Sequence, residues 1–239
     1  MRNGKITWIL PVLWMIPLGP TATAMAAEPG QLVVEGQGEV QVAPDMAYVT
    51  LGVNRRDGSA KKAQSEVNMA LEDILKRMKR IKIPAENIQT SRLTLNPIYD
   101  RSNRGEEYPR VTGYDANYTL TLRVEDLDRL GSLIDSALEG GSNRLQGVRF
   151  DLKDDAVAKS SALRKAVESA RKKANVLAAA AGVNLLSILQ IQESGAALPQ
   201  PRFSQVRAMR TEMAGAPTQI MPGTLTVRAS VTITWAIGQ

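Results

Sequence analysis

Glu125, Asp126 and Asp128 stand almost side by side in the chain, and Asp154-Asp155 makes a second acidic knot. Clustered carboxylates can hold a hard cation or share acid–base work. Each group also precedes a helical pattern, where negative charge sits well against the positive end of the helix dipole. That plainer reading is favoured for both. No D-x-D-x-D-G loop occurs, so calcium binding of the helix–loop–helix kind is not expected. A carboxylate hydrolase built on Glu125–Asp128 stands as the weakest alternative.

Other chemistry is bounded by two absences. The chain has no histidine and no cysteine. Ser-His-Asp triads, cysteine nucleophiles, the usual zinc sites and histidine-ligated haem are therefore excluded. No catalytic constellation, cofactor or dedicated metal site is expected. Met209, Met213 and Met221 share one segment. Thioethers can ligate Cu(I) and are oxidisable, so a methionine-based metal or redox buffer is the first alternative; loop methionines that pack on a partner surface are the plainer reading. Arg202, Arg207 and Arg210 could meet phosphate or anionic lipid, and they are the candidate binding residues; a solvated loop is the plainer reading. No aromatics interleave with them, so nucleic acid is not expected. Tyr99, Tyr108, Tyr114 and Tyr118 flank a charged loop and could form a platform, although cross-strand tyrosines are ordinary sheet packing.

The elements that must position these groups follow from periodicity. Tyr114 to Val124 alternates, with Tyr114, Ala116, Tyr118, Leu120, Leu122 and Val124 on one face and Asp115, Asn117, Thr119, Thr121 and Arg123 on the other. That is a half-buried strand. The period then changes: Leu127, Leu130, Ile134 and Leu138 recur every three or four residues, as on one helix face. Asp126 is its expected cap, and Gly140-Gly141 its stop. Val148, Phe150 and Leu152 alternate again.

Earlier in the chain, Gln31–Val42 reads as a first strand, with Gly36 and Gly38 on its apolar side where another group can approach closely. Val49, Leu51 and Val53 mark a second strand, expected to hairpin with the first. Ser59–Ile81 is a helix with Ala63, Val67, Ala70, Leu71, Ile74, Met78 and Ile81 inward. Ile88–Tyr99 is a strand with Leu93 and Leu95 inward and Pro97 at an edge. After Asp155 the longest helix runs to about Ala181. Its stripe of Leu163, Ala166, Val167, Ala170, Ala174, Leu177 and Ala181 is alanine-rich, so it can lie close to a sheet. Leu185–Gln192 is a short strand, and residues 194–223 read as a long loop with Pro199, Pro201, Pro217 and Pro222. Residues 224–237 alternate throughout, and at ~3.4 Å per residue they span roughly 45 Å. Such a length predicts a central strand, shared by two lobes.

The order is ββαββαβαββ. It predicts an α+β fold: a mainly antiparallel twisted sheet with helices packed on one face and a long C-terminal strand.

Composition sets the compartment. At 239 residues, with 44% apolar and 23% charged residues, the chain can bury a sizeable core. Arg2 and Lys5 precede the apolar run Ile6–Leu18, and Ala24-Met25-Ala26 follows in the A-x-A pattern. Residues 1–26 therefore read as a cleavable secretory signal peptide, and residues 27–239 as the mature domain. The run falls short of the ~20 residues a membrane span needs, so no integral span is expected in the mature form. Removing Arg2 and Lys5 lowers the formal charge of +6 by two, a mild excess spread among acids.

Two stretches carry a family likeness. The run Y-x-L-x-L-x-V-x-D-L-D-x-L from Tyr118, followed by G-G-x-N-x-L-Q-G-V-x-F-x-L-K-D from Gly140, resembles the SIMPL domain family. The likeness continues through Glu35–Val53 and Ala162–Glu193. It implies periplasmic residence and, for some relatives, homo-oligomers and a role in protection against stress, oxidative stress included. The likeness names no small-molecule ligand. The non-enzymatic expectation comes separately, from the lack of a catalytic constellation.

Overall fold

The computed structural model of the chain describes residues 30–100, 110–201 and 218–239, with backbone only for 196–201. Residues 1–26, the interior of the 100–109 connection, and Arg202, Arg207, Met209, Arg210 and Met213 lie outside the described residues.

The elements are β1 (Gly30–Val42), β2 (Met46–Asp57), α1 (Ala60–Arg80), β3 (Ile88–Tyr99), β4 (Val111–Val124), α2 (Leu130–Glu139), β5 (Arg144–Asp151), α3 (Ala156–Ala181), β6 (Asn184–Pro201) and β7 (Leu225–Gly238). Their order is the expected ββαββαβαββ, and every strand pairing is antiparallel. The α+β class is therefore as the periodicities require, with the strands divided between two sheets. One has the order β3-β4-β2-β5 and the other β1-β7-β6.

The four-stranded sheet buries its apolar side under α1 and α2. Val49, Leu51 and Val53 of β2 and Leu120, Leu122 and Val124 of β4 meet Val67, Ile74 and Met78 of α1 and Leu130, Leu133 and Ile134 of α2. Leu133 takes the place expected of Leu138, which is 45% exposed. The three-stranded sheet is packed differently. Its helix α3 presents Ala158, Ala162, Ala166, Ala170 and Ala174 to Val34, Val227, Val231, Ile233 and Trp235, and Ala178 is buried as well. A Cβ on Gly36 would lie 2.6 Å from the Ala170 amide nitrogen, and one on Gly38 would lie 2.5 Å from that of Ala166. The helix backbone thus rests directly on strand glycines, as the paired glycines and alanines foretell.

Several expectations are corrected. β1 does not hairpin with β2; all its residues pair with β7, from Gly30↔Ile237 to Val42↔Leu225. The Ala43-Pro44-Asp45 turn instead carries the chain between sheets, with the Asp45 amide bonded to the Asp151 carbonyl. β7 is central, but it belongs to one sheet only: β1 and β6 occupy both its edges, so no second lobe can share it. The segment from 194 does not begin a loop, because β6 continues to Pro201 beside β7. Its register shifts erase the alternation by which a strand is recognised. Leu93 and Leu95 are 54% and 42% exposed, since β3 is an edge strand that α1 hardly reaches. Val167 and Leu177 are likewise exposed, because helix-to-glycine contact admits only the methyls of the true alanine stripe. The expected cap of the second helix also differs, for Asp126 makes no side-chain cap bond; at the start of α1 Asp57 accepts from the Ser59 amide at 2.7 Å.

Candidate functional site

The side of the four-stranded sheet away from α1 and α2 is built by the polar half of each alternation. Register places these residues in rows across the strands. One row holds Asn96, Asp115 and Arg56. The next has Thr94, Asn117 and Asn54, then Arg92, Thr119, Gly52 and Arg144. Gln89, Thr121, Thr50 and Gly147 follow, and Arg123, Tyr48 and Arg149 end the series.

One corner is a dense polar knot. Asn54 Nδ2 donates to Asp115 Oδ1 at 2.9 Å and to Asn117 Oδ1 at 2.8 Å. Arg56 Nε donates to Asp115 Oδ1 at 2.6 Å, and Asn117 Nδ2 to Asp115 Oδ2 at 2.7 Å. Arg144 completes it through Asn117 Oδ1 at 2.9 Å. The Asn54 amide first, and the Arg56 guanidinium next, hold the Asp115 carboxyl down to about 2. Asp115 is thus a fixed anion that organises donors, unsuited to trade protons near neutrality.

Beside the knot lies a trough of about 670 Å³ lined by Tyr48, Thr50, Gln89, Thr121, Gln146, Gly147, Val148 and Arg149. A bulge shapes it. Thr50 faces Gly147 and Leu51 faces Leu145, so Gln146 is the extra residue; Gly147 sits at φ +154. Freed from the ladder, Gln146 Nε2 donates to the buried Thr119 hydroxyl at 3.2 Å. Arg149 lies 4.5 Å above the Tyr48 ring and pairs with Asp151 at 2.6 Å. The lining offers hydroxyls, amides and a guanidinium on an aromatic face. That equips it for hydrogen bonding to a polar ligand, and it contains no nucleophile beside a base.

The acidic clusters behave as helix-start charges and ion-pair partners. Glu125 pairs with Lys153 at 2.8 Å and Arg123 at 3.0 Å. Lys153 chiefly holds its carboxyl below the usual range, which suits a counter-ion and not a general acid. Asp126 engages through its backbone carbonyl, bonded to the Arg129 amide at 3.2 Å. Asp154 Oδ1 accepts from the Ala156 amide at 2.8 Å, and Asp155 pairs with Lys159 at 2.6 Å. Among the described residues no three acidic side chains gather as a metal site.

Asp128 lines a cleft in which residues 218–222 lie against α2. Asp135 anchors that segment, accepting from the Thr218 hydroxyl at 2.6 Å and its amide at 3.2 Å. The Thr218 carbonyl occupies the space a side chain on Gly131 would need. Met221 of this segment is 75% exposed. Tyr114 and Tyr118 turn to the helix side and pack against the core, as cross-strand tyrosines ordinarily do, while Tyr99 is exposed. The knot of Asn54, Arg56, Asp115, Asn117 and Arg144 was not singled out from sequence. Its signal was the polar half of the β4 alternation, read only as the outward face.

Comparison with known proteins places this architecture. The SIMPL family model, described as a protein of unknown function (DUF541), matches residues 32–235. A 26 kDa periplasmic immunogenic protein of Brucella melitensis is 32% identical over 213 residues, covering 87% of this chain and 83% of the relative. "Uncharacterized protein YggE" of Edwardsiella ictaluri is 29% identical over 177 residues, 73% of each chain. Its Escherichia coli namesake is 26% identical over 162 residues, 65% of each. Matched across both sheets and from β1 into β7, the chain belongs to the SIMPL family.

Proposed function

We propose that this chain is an exported, periplasmic, non-enzymatic protein of the cell envelope that acts as a homo-oligomer and protects against oxidative stress. One observation carries the reading. The polar side of the four-stranded sheet, with its trough, is furnished for hydrogen bonding and has no nucleophile–base pair. The periplasmic designation of the Brucella relative supports the compartment, as does the A-x-A pattern ending at Ala26. Among the described residues no helix is long and apolar enough to cross a membrane.

Native mass spectrometry of the exported protein tests assembly and processing together. The expected species is a multimer of chains beginning at Ala27. A strict monomer at about 10–50 μM removes the assembly, and an intact N-terminus removes the processing. Peroxide survival of cells lacking the chain tests the protective role. Arg202, Arg207 and Arg210 are the residues proposed to meet an anionic group. Cosedimentation with anionic phospholipid vesicles, lost on changing all three to alanine, is the expected result.

The exposure of Met221 favours a second reading, a methionine-based metal or redox buffer. Cu(I) titration of the wild type and of a Met209→Leu, Met213→Leu, Met221→Leu variant decides it. Equal, negligible binding by both ends it.

A further inference from the structure

The trough on the four-stranded sheet has a neutral floor. Among the described residues that line it, none is acidic. Thr121 and Thr50 lie on the two inner strands, with Gln89 on β3 and Gln146 on β5 to either side. Gln146 donates to Thr119, and Thr121 to the Ser91 hydroxyl at 3.2 Å. Among the described residues the side chains of Thr50 and Gln89 make no hydrogen bond. Hydroxyls and amides both give and accept, so this floor suits a partner that does the same.

Four guanidiniums bracket the floor. The row on one side holds Arg92 and Arg144, and the row on the other holds Arg123 and Arg149. Arg92 and Arg144 stand three strand spacings apart, roughly 14 Å. Between them Thr119 and Gly52 raise no long side chain. Arg149 and Arg123 have carboxylate partners, Asp151 and Glu125. Arg144 bonds to the neutral Asn117 amide, and Arg92 has no partner among the described residues. Arg123 Nε is buried without an acceptor. A buried donor left unmet calls for an explanation. An anion that drew Arg123 towards the trough would supply the missing acceptor.

These groups select their occupant. Single-stranded nucleic acid needs open aromatic faces for its bases, and the Tyr48 ring in the lining has Arg149 4.5 Å above it. A bare polyphosphate answers the guanidiniums but has no hydroxyl to give to the threonine and glutamine oxygens. A neutral sugar answers the floor and leaves Arg92 and Arg144 without a counter-charge. We propose that the trough binds an acidic saccharide, a chain of hydroxyl-rich sugar units bearing carboxylates, laid across the four strands. Its carboxylates meet Arg92 and Arg144, and its hydroxyls meet Thr50, Gln89 and Gln146. Guanidinium–carboxylate pairing is the strong part of such a site, and the neutral floor is the selective part. The proposal goes beyond the reading above and does not depend on assembly.

Calorimetric titration with four probes tests it: the trisaccharide of galacturonic acid, maltotriose, tripolyphosphate and a short single-stranded DNA. The acidic trisaccharide should bind with a Kd below about 1 mM, and each of the others at least about tenfold more weakly. Arg92→Glu should weaken the trisaccharide at least about tenfold. Gln89→Ala should weaken it by less. Arg164→Glu makes the same charge change on exposed α3 and should leave the Kd unchanged. All three variants should keep the wild-type circular dichroism spectrum. No binding of the trisaccharide at about 1 mM overturns the site. Equal affinity for maltotriose, tripolyphosphate or DNA overturns the ligand class. An equal loss from Arg92→Glu and Arg164→Glu overturns the place.

Discussion

The two sheets cover their apolar sides by different means. The four-stranded sheet uses volume: Leu51, Leu122, Ile74, Met78, Leu130 and Leu133 are all nearly or wholly buried. Each such side chain contributes about 1.5–3 kcal/mol by leaving water. The three-stranded sheet uses proximity. Six alanines of α3 lie over a strand whose inward residues include Gly36 and Gly38. Each methyl contributes less through area, and the close approach of helix and strand adds dispersion contacts. The lesson is that a core of large side chains can lose atoms and partly relax, whereas a backbone-to-backbone contact has no slack in which to place them.

That difference can be broken experimentally. The largest effect is expected from Gly36→Leu or Gly38→Leu, which drive a side chain into the α3 backbone. Loss beyond ~5 kcal/mol, seen as failure to give a cooperative melt, is the expected outcome. In the other sheet Leu122→Ala should cost about 2–5 kcal/mol in denaturant unfolding and leave a folded protein. If Gly36→Leu proves milder than Leu122→Ala, the contrast between proximity and volume is wrong. Asp135→Ala removes both bonds that hold Thr218 against α2 and should cost about 1–3 kcal/mol. Faster amide exchange in α2 and the 218–222 segment would accompany it.

A pH experiment on Asp115 sharpens the comparison further, because that residue belongs to the four-stranded sheet. The Asp115 carboxyl is lowered from 3.8 to about 2, so the charged form is favoured in the folded state. Its stabilisation is fully present above pH 4 and is lost as the pH falls through about 2. Asp115→Asn should therefore flatten the stability profile between about pH 4 and pH 2 and change little of its shape above. The smallest expected effect is on the exposed side of α1. Lys76→Ala removes the pair with Glu72 and should lower stability only marginally, the difference disappearing in high salt.

Much of the fold was legible from particular residues. The switch from alternation at Tyr118–Val124 to the spacing of Leu130 and Ile134 announced strand then helix, because each period is local to its element. Gly36 and Gly38 announced close approach, since a glycine on the inward side leaves room for backbone. The partner of that approach was less legible. Val167 and Leu177 looked as apt for the stripe as Ala162 or Ala178, and only contact with the glycines shows why alanine alone fits. The site was legible by half. Alternation put Asp115 and Asn117 on the outward face, but their meeting with Asn54, Arg56 and Arg144 depends on register between strands distant in sequence.

By itself, the sequence determined the type and order of the elements, the α+β class, the central place of β7 and the exclusion of histidine and cysteine chemistry. These follow from side-chain identity and spacing within single segments. Tertiary structure alone decided that β1 pairs with β7 and not with β2, that β7 serves one sheet, and that β6 continues past residue 194. Backbone hydrogen bonds make a strand without naming its neighbour. Which strands meet is settled only when every apolar face has found its cover.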